Sequence, residues 1–155
     1  MMLRLAFQRI FKDRRGVAAV ELALALPILT VMALGSIDLA RGFSYKMNLQ
    51  QYAQSGADFI VANGESIPTE AQVKTEVAAV SGLATTAITV TKWTECNQGK
   101  NGTLPYDTCP GASDEKANYM QIAVTDTYAP ILNIKGIADF VQSTSLTGTA
   151  IVRIP

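Results

Sequence analysis

Apolar residues fall along this chain in three successive rhythms. Residues 17–37, VAAVELALALPILTVMALGSI, are apolar almost without interruption. That is about the 20 residues needed to cross a bilayer core as a helix. Glu21 is the only charge in the run and Pro27 the only strong helix breaker. Proline is tolerated better in membrane helices than in soluble ones. The next stretch, DLARGFSYKMNLQQYAQSGADFIVANG, has no proline. Its apolar residues recur at steps of three or four. Leu39, Phe43 and Met47 are followed by Leu49, Tyr52 or Ala53, Gly56 or Ala57, and Ile60. Such spacing predicts one face of an α-helix, and Asn63-Gly64 supplies a stop. A single helix is expected from about Val17 to Ala62, roughly 70 Å long. Its first half is apolar all round. Its second half is amphipathic and needs something to pack against.

After Ile67-Pro68 a short helix is predicted. Thr69 can cap it, Gln72 completes a capping box, and Glu70 favours the first turn. Val73, Val77 and Val80 are expected on one face, with Gly82 as the stop. The period then changes to two. AITVTKW (87–93), a run from Tyr119 to Tyr128, and SLTGTAIVRI (145–154) read as strands. Met120, Ile122 and Val124 share one face of the second, and Asp126 falls on the same register. PILNIKGIADFV (130–141) reads as a turn with a short helical or loop segment. The order predicts an α+β fold: a long N-terminal helix, a short second helix and a small antiparallel sheet of about three strands covering the outer half of the long helix.

Cys96 and Cys109 bracket the turn-rich loop NQGKNGTLPYDT. Their spacing lacks the C-x-x-C form of a redox pair, so a structural disulfide is the expectation. Asn101-Gly102-Thr103 matches a glycosylation acceptor and reads as a hairpin tip. Trp93, beside the loop, reads as core or rim packing.

Charge changes the picture more than composition does. The 155 residues balance 13 basic against 13 acidic groups, unevenly placed. Residues 1–16 hold Arg4, Arg9, Lys12, Arg14 and Arg15 against Asp13, a net of +4. The remainder holds 8 basic and 12 acidic groups, a net of −4. A mildly acidic body is a poor nucleic-acid binder, so none is expected. The positive-inside rule, with Arg14 and Arg15 next to the apolar run, predicts a cytoplasmic N-terminus and an exported C-terminal domain. In a bacterium this would be an inner-membrane protein, single-pass, with a periplasmic head. Two other topologies stay open. Ala33-Leu34-Gly35 before Ser36 resembles a signal-peptide cleavage site, and a plain signal anchor would leave Glu21 incidental.

No histidine occurs, which removes the commonest general base and metal ligand. Nothing gathers Ser, Asp, Glu and Lys into a catalytic or metal cluster. No enzyme activity, catalytic residue, metal or cofactor is expected.

One feature of the apolar run resists a plain anchor. A charge at the bilayer centre costs roughly 2.5–3.5 kcal/mol on insertion scales, yet Glu21 lies five residues after Gly16. The run Arg14-Arg15-Gly16-Val17-Ala18-Ala19-Val20-Glu21-Leu22, the apolar stretch with Pro27, and Ile37-Asp38-Leu39-Ala40-Arg41 resemble the TadE-like family. Ser55-Gly56-Ala57 and the closing Ala150-Ile151-Val152-Arg153 are similar as well. These are minor pilins, or pseudopilins, of the tight-adherence (Tad, type IVc) pilus system. The resemblance covers about residues 14–62 and implies a pilin-like layout.

The resemblance implies that a prepilin peptidase cuts after Gly16, making Val17 the new N-terminus. It implies that Glu21 pairs with the N-terminal amine of a neighbouring subunit. It implies as partners the peptidase, other minor pilins, the major pilin, the inner-membrane assembly platform and the lipid bilayer. Leu22 stands where major Tad pilins carry an aromatic, and the chain is far longer than a major pilin. Both imply a minor member that acts in assembly, initiation or tip formation, with a place in the extracellular pilus open to it. Four regions follow: a basic leader (1–16), a membrane span (17–37), an amphipathic exported helix (38–63) and an exported head (64–155). The alternative is a signal-anchored or secreted periplasmic scaffold or adhesion domain without a pilus role.

Overall fold

The computed structural model describes residues 16–64, 66–97, 103–111, 114–131 and 144–155. Helix α1 runs Val17–Ala62 and α2 runs Glu70–Ser81. A 3₁₀ turn, Thr85–Ala87, leads into strands β1 (Ile88–Cys96), β2 (Thr103–Leu104), β3 (Lys116–Tyr128) and β4 (Thr144–Ile154). The fold is α+β, as the residue rhythms predict. The chain divides into two compact units, one up to Ala40 and one from Arg41 to Pro155, and α1 contributes to both.

In the second unit the four strands form one antiparallel sheet in the order β2-β1-β3-β4. Val90 stands opposite Ile122, and Ile122 opposite Ala150. Alternation then places Ile88, Val90, Met120, Ile122, Val124, Ala150 and Ile154 on one face, all buried. Leu49, Ala53, Ala57 and Ile60 of α1 and Val73 and Val77 of α2 complete the core. The opposite face is threonine-rich. Thr125 and Thr147 share a hydrogen bond of 2.9 Å across it.

The helix lies close to the sheet because small residues let it. A Cβ on Gly56 would stand 2.7 Å from Val77 Cγ2 and 3.4 Å from Ile122. A Cβ on Gly148 of β4 would run into the α1 backbone at Leu49 and Gln50. The second helix carries its predicted capping box. The Gln72 N–H donates to Thr69 Oγ1 at 3.3 Å, and the Thr69 N–H donates to Gln72 Oε1 at 2.9 Å. Gly82 ends it in the left-handed region at φ 71°.

Three expectations are corrected. Among the described residues the sheet has four strands rather than about three, because the two-residue β2 is too short to show a period. Val80 is exposed, although its spacing predicts it beside Val73 and Val77. It lies in the last turn of α2, just before Gly82. Leu39, Phe43 and Met47 are exposed at 62–63% and do not share the packed face of α1. That face is Tyr45, Leu49, Ala53, Gly56, Ala57 and Ile60. Met47 and Leu49 are two residues apart, about 200° around the helix, so the two stripes point in opposite directions. The expected turn over 130–141 lies, beyond residue 131, outside the described residues.

Candidate functional site

Two places carry candidate chemistry: the start of α1 and the polar anchors of the head. At the start of α1, Gly16 is exposed and nothing lies within 4 Å of where its Cβ would be. Val17 follows as the first helical residue, 60% exposed. Glu21 is four residues on, one turn later and on the same helical side. Side chains on a helix lean toward its N-terminus, so the Glu21 carboxylate leans toward the Val17 end. That end also carries the positive pole of the helix dipole. Among the described residues Glu21 makes no ion pair. Arg14 and Arg15 lie outside the described residues.

From Val17 to Ile37 the helix exposes apolar side chains all round. Val20, Leu22, Leu24, Leu26, Ile28 and Leu29 are each more than half exposed. By length and composition α1 can cross a membrane. Its two hydroxyls in this stretch are satisfied inside the helix. Thr30 donates to the Leu26 carbonyl and Ser36 to the Met32 carbonyl, each at 2.8 Å. Internal pairing of this kind suits a medium that offers no hydrogen bonds. The helix continues through Ser36 without a break.

In the head, Tyr45 of α1 donates its hydroxyl to Asp126 Oδ2 of β3. That hydrogen bond, with burial and the Asp126 charge behind it, pushes the Tyr45 pKa up to about 12. The same bond, aided by the Thr127 N–H, holds Asp126 below the usual carboxylate range. The Tyr45 ring also meets Tyr128, with centroids 5.8 Å apart. Gln50 of α1 engages the β4 backbone twice. Its amide donates to the Thr149 carbonyl, and its Oε1 accepts from the Thr149 N–H at 3.1 Å.

At the far end of the sheet Cys96 and Cys109 form a disulfide with Cα atoms 6.0 Å apart. The buried Thr94 hydroxyl donates to Asn118 Oδ1 at 2.7 Å and accepts from the Asp107 N–H at 2.6 Å. Asn97 Nδ2 and the Gly111 N–H both donate to Asp114. These bonds, the Asn97 one first, hold the Asp114 carboxyl below its ordinary range. Lys116 pairs with Asp107 at 2.8 Å. Trp93 is half-buried on the outer face and stacks on Tyr119, 5.6 Å between centroids, so it is rim packing. Of the tripeptide Asn101-Gly102-Thr103, only Thr103 is described, and it begins β2.

The residues that tie helix to sheet, Tyr45, Gln50 and Thr149, carry no motif. Only Asp126 gave a signal, as a carboxylate on the apolar register of β3. No group of three or more His, Cys, Asp or Glu that could hold a metal occurs among the described residues.

Residues 16–58 match the model of the family described as TadE-like protein. The match contains Gly16, Val17, Glu21 and most of α1, and ends before α2. In this segment the chain is similar to Tad pilus-associated proteins. No curated protein and no solved structure matches it.

Proposed function

Taking the TadE-like match over residues 16–58 as premise, we propose that this protein is a minor pilin of a Tad pilus. It is a structural and interaction protein rather than an enzyme. Its basic leader stays in the cytoplasm, residues 17–37 span the inner membrane once, and the head is periplasmic. A prepilin peptidase removes the leader after Gly16. The processed subunit then takes part in initiating or tipping the filament with other minor pilins, the major pilin and the assembly platform.

The observation that carries this reading is the placement of Glu21. An exposed carboxylate sits one helical turn after Val17, inside an apolar segment, without an ion-pair partner among the described residues. A carboxylate in hydrocarbon is tolerable when a cation accompanies it. Cleavage before Val17 creates such a cation, an α-amine, one helical turn from Glu21. A neighbouring subunit staggered along the helix bundle would present its own amine there. Small residues on the same helix, Ala18, Ala19, Ala23 and Ala25, permit close helix packing.

Mass spectrometry of the mature N-terminus tests the processing step. A start at Val17 supports it. A start at Ser36 indicates an ordinary secretory signal, and an intact leader indicates an anchor. Either overturns the pilin reading. Glu21→Ala then tests the pairing: membrane insertion should persist while pilus assembly fails, and normal pili in that variant would remove the proposed role of Glu21.

A further inference from the structure

Among the described residues no strand lies beyond β4, and Gln50 closes part of that edge. The Gln50 amide bonds both the N–H and the C=O of Thr149. It imitates a neighbouring strand at that one residue, which identifies Thr149 as a position whose backbone points away from β3. Backbone direction alternates along a strand. Ile151 and Arg153 therefore also turn their N–H and C=O groups outward. Unpaired edge groups of this kind are a template for another strand.

A largely apolar cleft of about 270 Å³ opens beside the same stretch, lined by Ile60, Val61, Ile67, Val152, Ile154 and Pro155, with Gly64 and Arg153 also in its lining. That is below the roughly 300–1,000 Å³ of small-molecule sites, and suits one or two aliphatic side chains. Val152 and Ile154 point to the helix side of the sheet, so alternate side chains of a strand added at Ile151–Arg153 would drop into this cleft. The other side chains of that strand would lie on the outer face beside Arg153. Arg153 is exposed, stands opposite Tyr119 and makes no ion pair among the described residues.

We propose that the open edge of β4 at Ile151–Arg153, with its adjoining cleft, binds an extended polypeptide segment of a partner protein that alternates aliphatic and acidic residues. Aliphatic side chains fill the cleft, and a carboxylate meets Arg153. A second copy of this chain is a poor occupant. Symmetric pairing of two β4 edges is stopped at Thr149 by Gln50, and pairing confined to Ile151–Pro155 sets the two Arg153 side chains opposite or diagonal to each other. The proposal stands on the head alone and does not require the pilus reading.

The test uses the full chain in detergent micelles and three synthetic probes. They are the heptapeptide TVEVDVT, its backbone N-methylated form, and the charge-swapped TVKVKVT. Amide hydrogen exchange at Ile151 and Arg153 is read by NMR. TVEVDVT should slow both amides by at least about tenfold, a difference of about 1.4 kcal/mol, and the N-methylated form should not. Ile151→Pro removes an outward N–H without taking a bond from β3, so it should keep the fold and abolish the slowing at Arg153. Arg153→Glu should shift the preference to TVKVKVT. The proposal is overturned if millimolar TVEVDVT leaves both amides unprotected. Equal protection by the N-methylated peptide also overturns it, as does slowing that grows with protein concentration alone, which would make a second copy the occupant.

Discussion

Tyr45 on the long helix and Asp126 on the central strand β3 are joined by a hydrogen bond across 81 residues of sequence. The helix and sheet therefore carry a polar tie as well as an apolar core, and the tie titrates at both ends. At the alkaline end, the folded pKa of Tyr45 is raised from 10.0 to about 12. The neutral phenol is favoured by folding, so its contribution is full below pH 10 and is lost as pH rises toward 12. At the acid end, the folded pKa of Asp126 is depressed. Its contribution is present above the ordinary carboxylate range and is lost as pH falls through the folded value. Tyr45→Phe should remove both dependences and cost about 1–2 kcal/mol near neutral pH. Urea midpoints of the two proteins across pH would show it. Parallel curves would mean that the bond does not form in solution.

Close approach of α1 to β4 makes Gly148 the least replaceable small residue of the sheet. Its Cβ would meet backbone atoms of Leu49 and Gln50, which cannot rotate away. Gly148→Ala should destabilise by about 3 kcal/mol or more. Gly64→Ala is the control. Gly64 has a positive φ of 58° and open space around it, so that variant should cost only about 1–2 kcal/mol of backbone strain. Denaturant unfolding ranks the two, and an equal or reversed ranking would contradict the helix–sheet contact.

Gly148 also shows where sequence reasoning stops. It is one glycine in SLTGTAIVRI, and nothing local says that a helix 99 residues earlier will press against it. The same holds for Gln50, whose role depends on where the edge of β4 falls. By contrast, the capping box at Thr69 and Gln72 is local chemistry, and it could be read directly. The strands around Met120, Ile122 and Val124 were legible because burial on one face forces period two. The packed face of α1 was harder. Large residues at Leu39, Phe43 and Met47 mark one stripe of the helix, whereas the sheet packs on the side where Ala53, Gly56 and Ala57 allow approach. At the start of α1, Gly16 and Glu21 stand out because a charge in an apolar run is costly. That signal is in the sequence, and the structure adds only the placement of Glu21 one helical turn after Val17.

Thr94 is a buried hydroxyl with partners on two sides. Its loss by Thr94→Val, nearly isosteric, would leave Asn118 Oδ1 and the Asp107 N–H without their partner. Asn118 is only 8% exposed, so water cannot fully replace the bond. A loss of about 2–3 kcal/mol is expected. Asn118→Leu combined with Thr94→Val should cost less than the sum of the single changes, because Asn118 Oδ1 is then gone and only the Asp107 N–H is left without its partner. Additive losses in this cycle would show that the two side chains do not interact.

The Cys96–Cys109 bond closes a loop with a sequence separation of 13. In the chain-entropy description a loop of this size is worth about 3 kcal/mol. Reduction, or the double change to serine, should lower the unfolding midpoint by a corresponding amount. The core of Leu49, Ile122 and Val124 should stay intact, because the disulfide lies at the far end of the sheet. Hydrogen exchange at β3 amides near Val124 that rises only as far as the global stability falls would fit. Selective loss of β2 pairing before global unfolding would fit as well. Unchanged stability in the serine variant would show that the disulfide contributes nothing to the folded head.

Phe43 and Met47 separate folding from assembly. Both are more than 60% exposed on the helix side opposite Leu49, and Leu39 extends the same stripe. Large apolar side chains aligned on a helix outside the core mark a surface for another apolar surface. In the minor-pilin reading that surface belongs to a neighbouring helix, since Phe43 and Met47 follow the proposed membrane span. The double variant Phe43→Ser, Met47→Ser removes no packed contact of the head. Its unfolding midpoint should therefore stay within about 0.5 kcal/mol of the parent, and membrane insertion through residues 17–37 should persist. Co-purification with other pilus subunits should fall. If subunit association is unchanged, the stripe contacts lipid headgroups or solvent instead, and assembly must rest on the membrane segment around Glu21 and on the β4 edge.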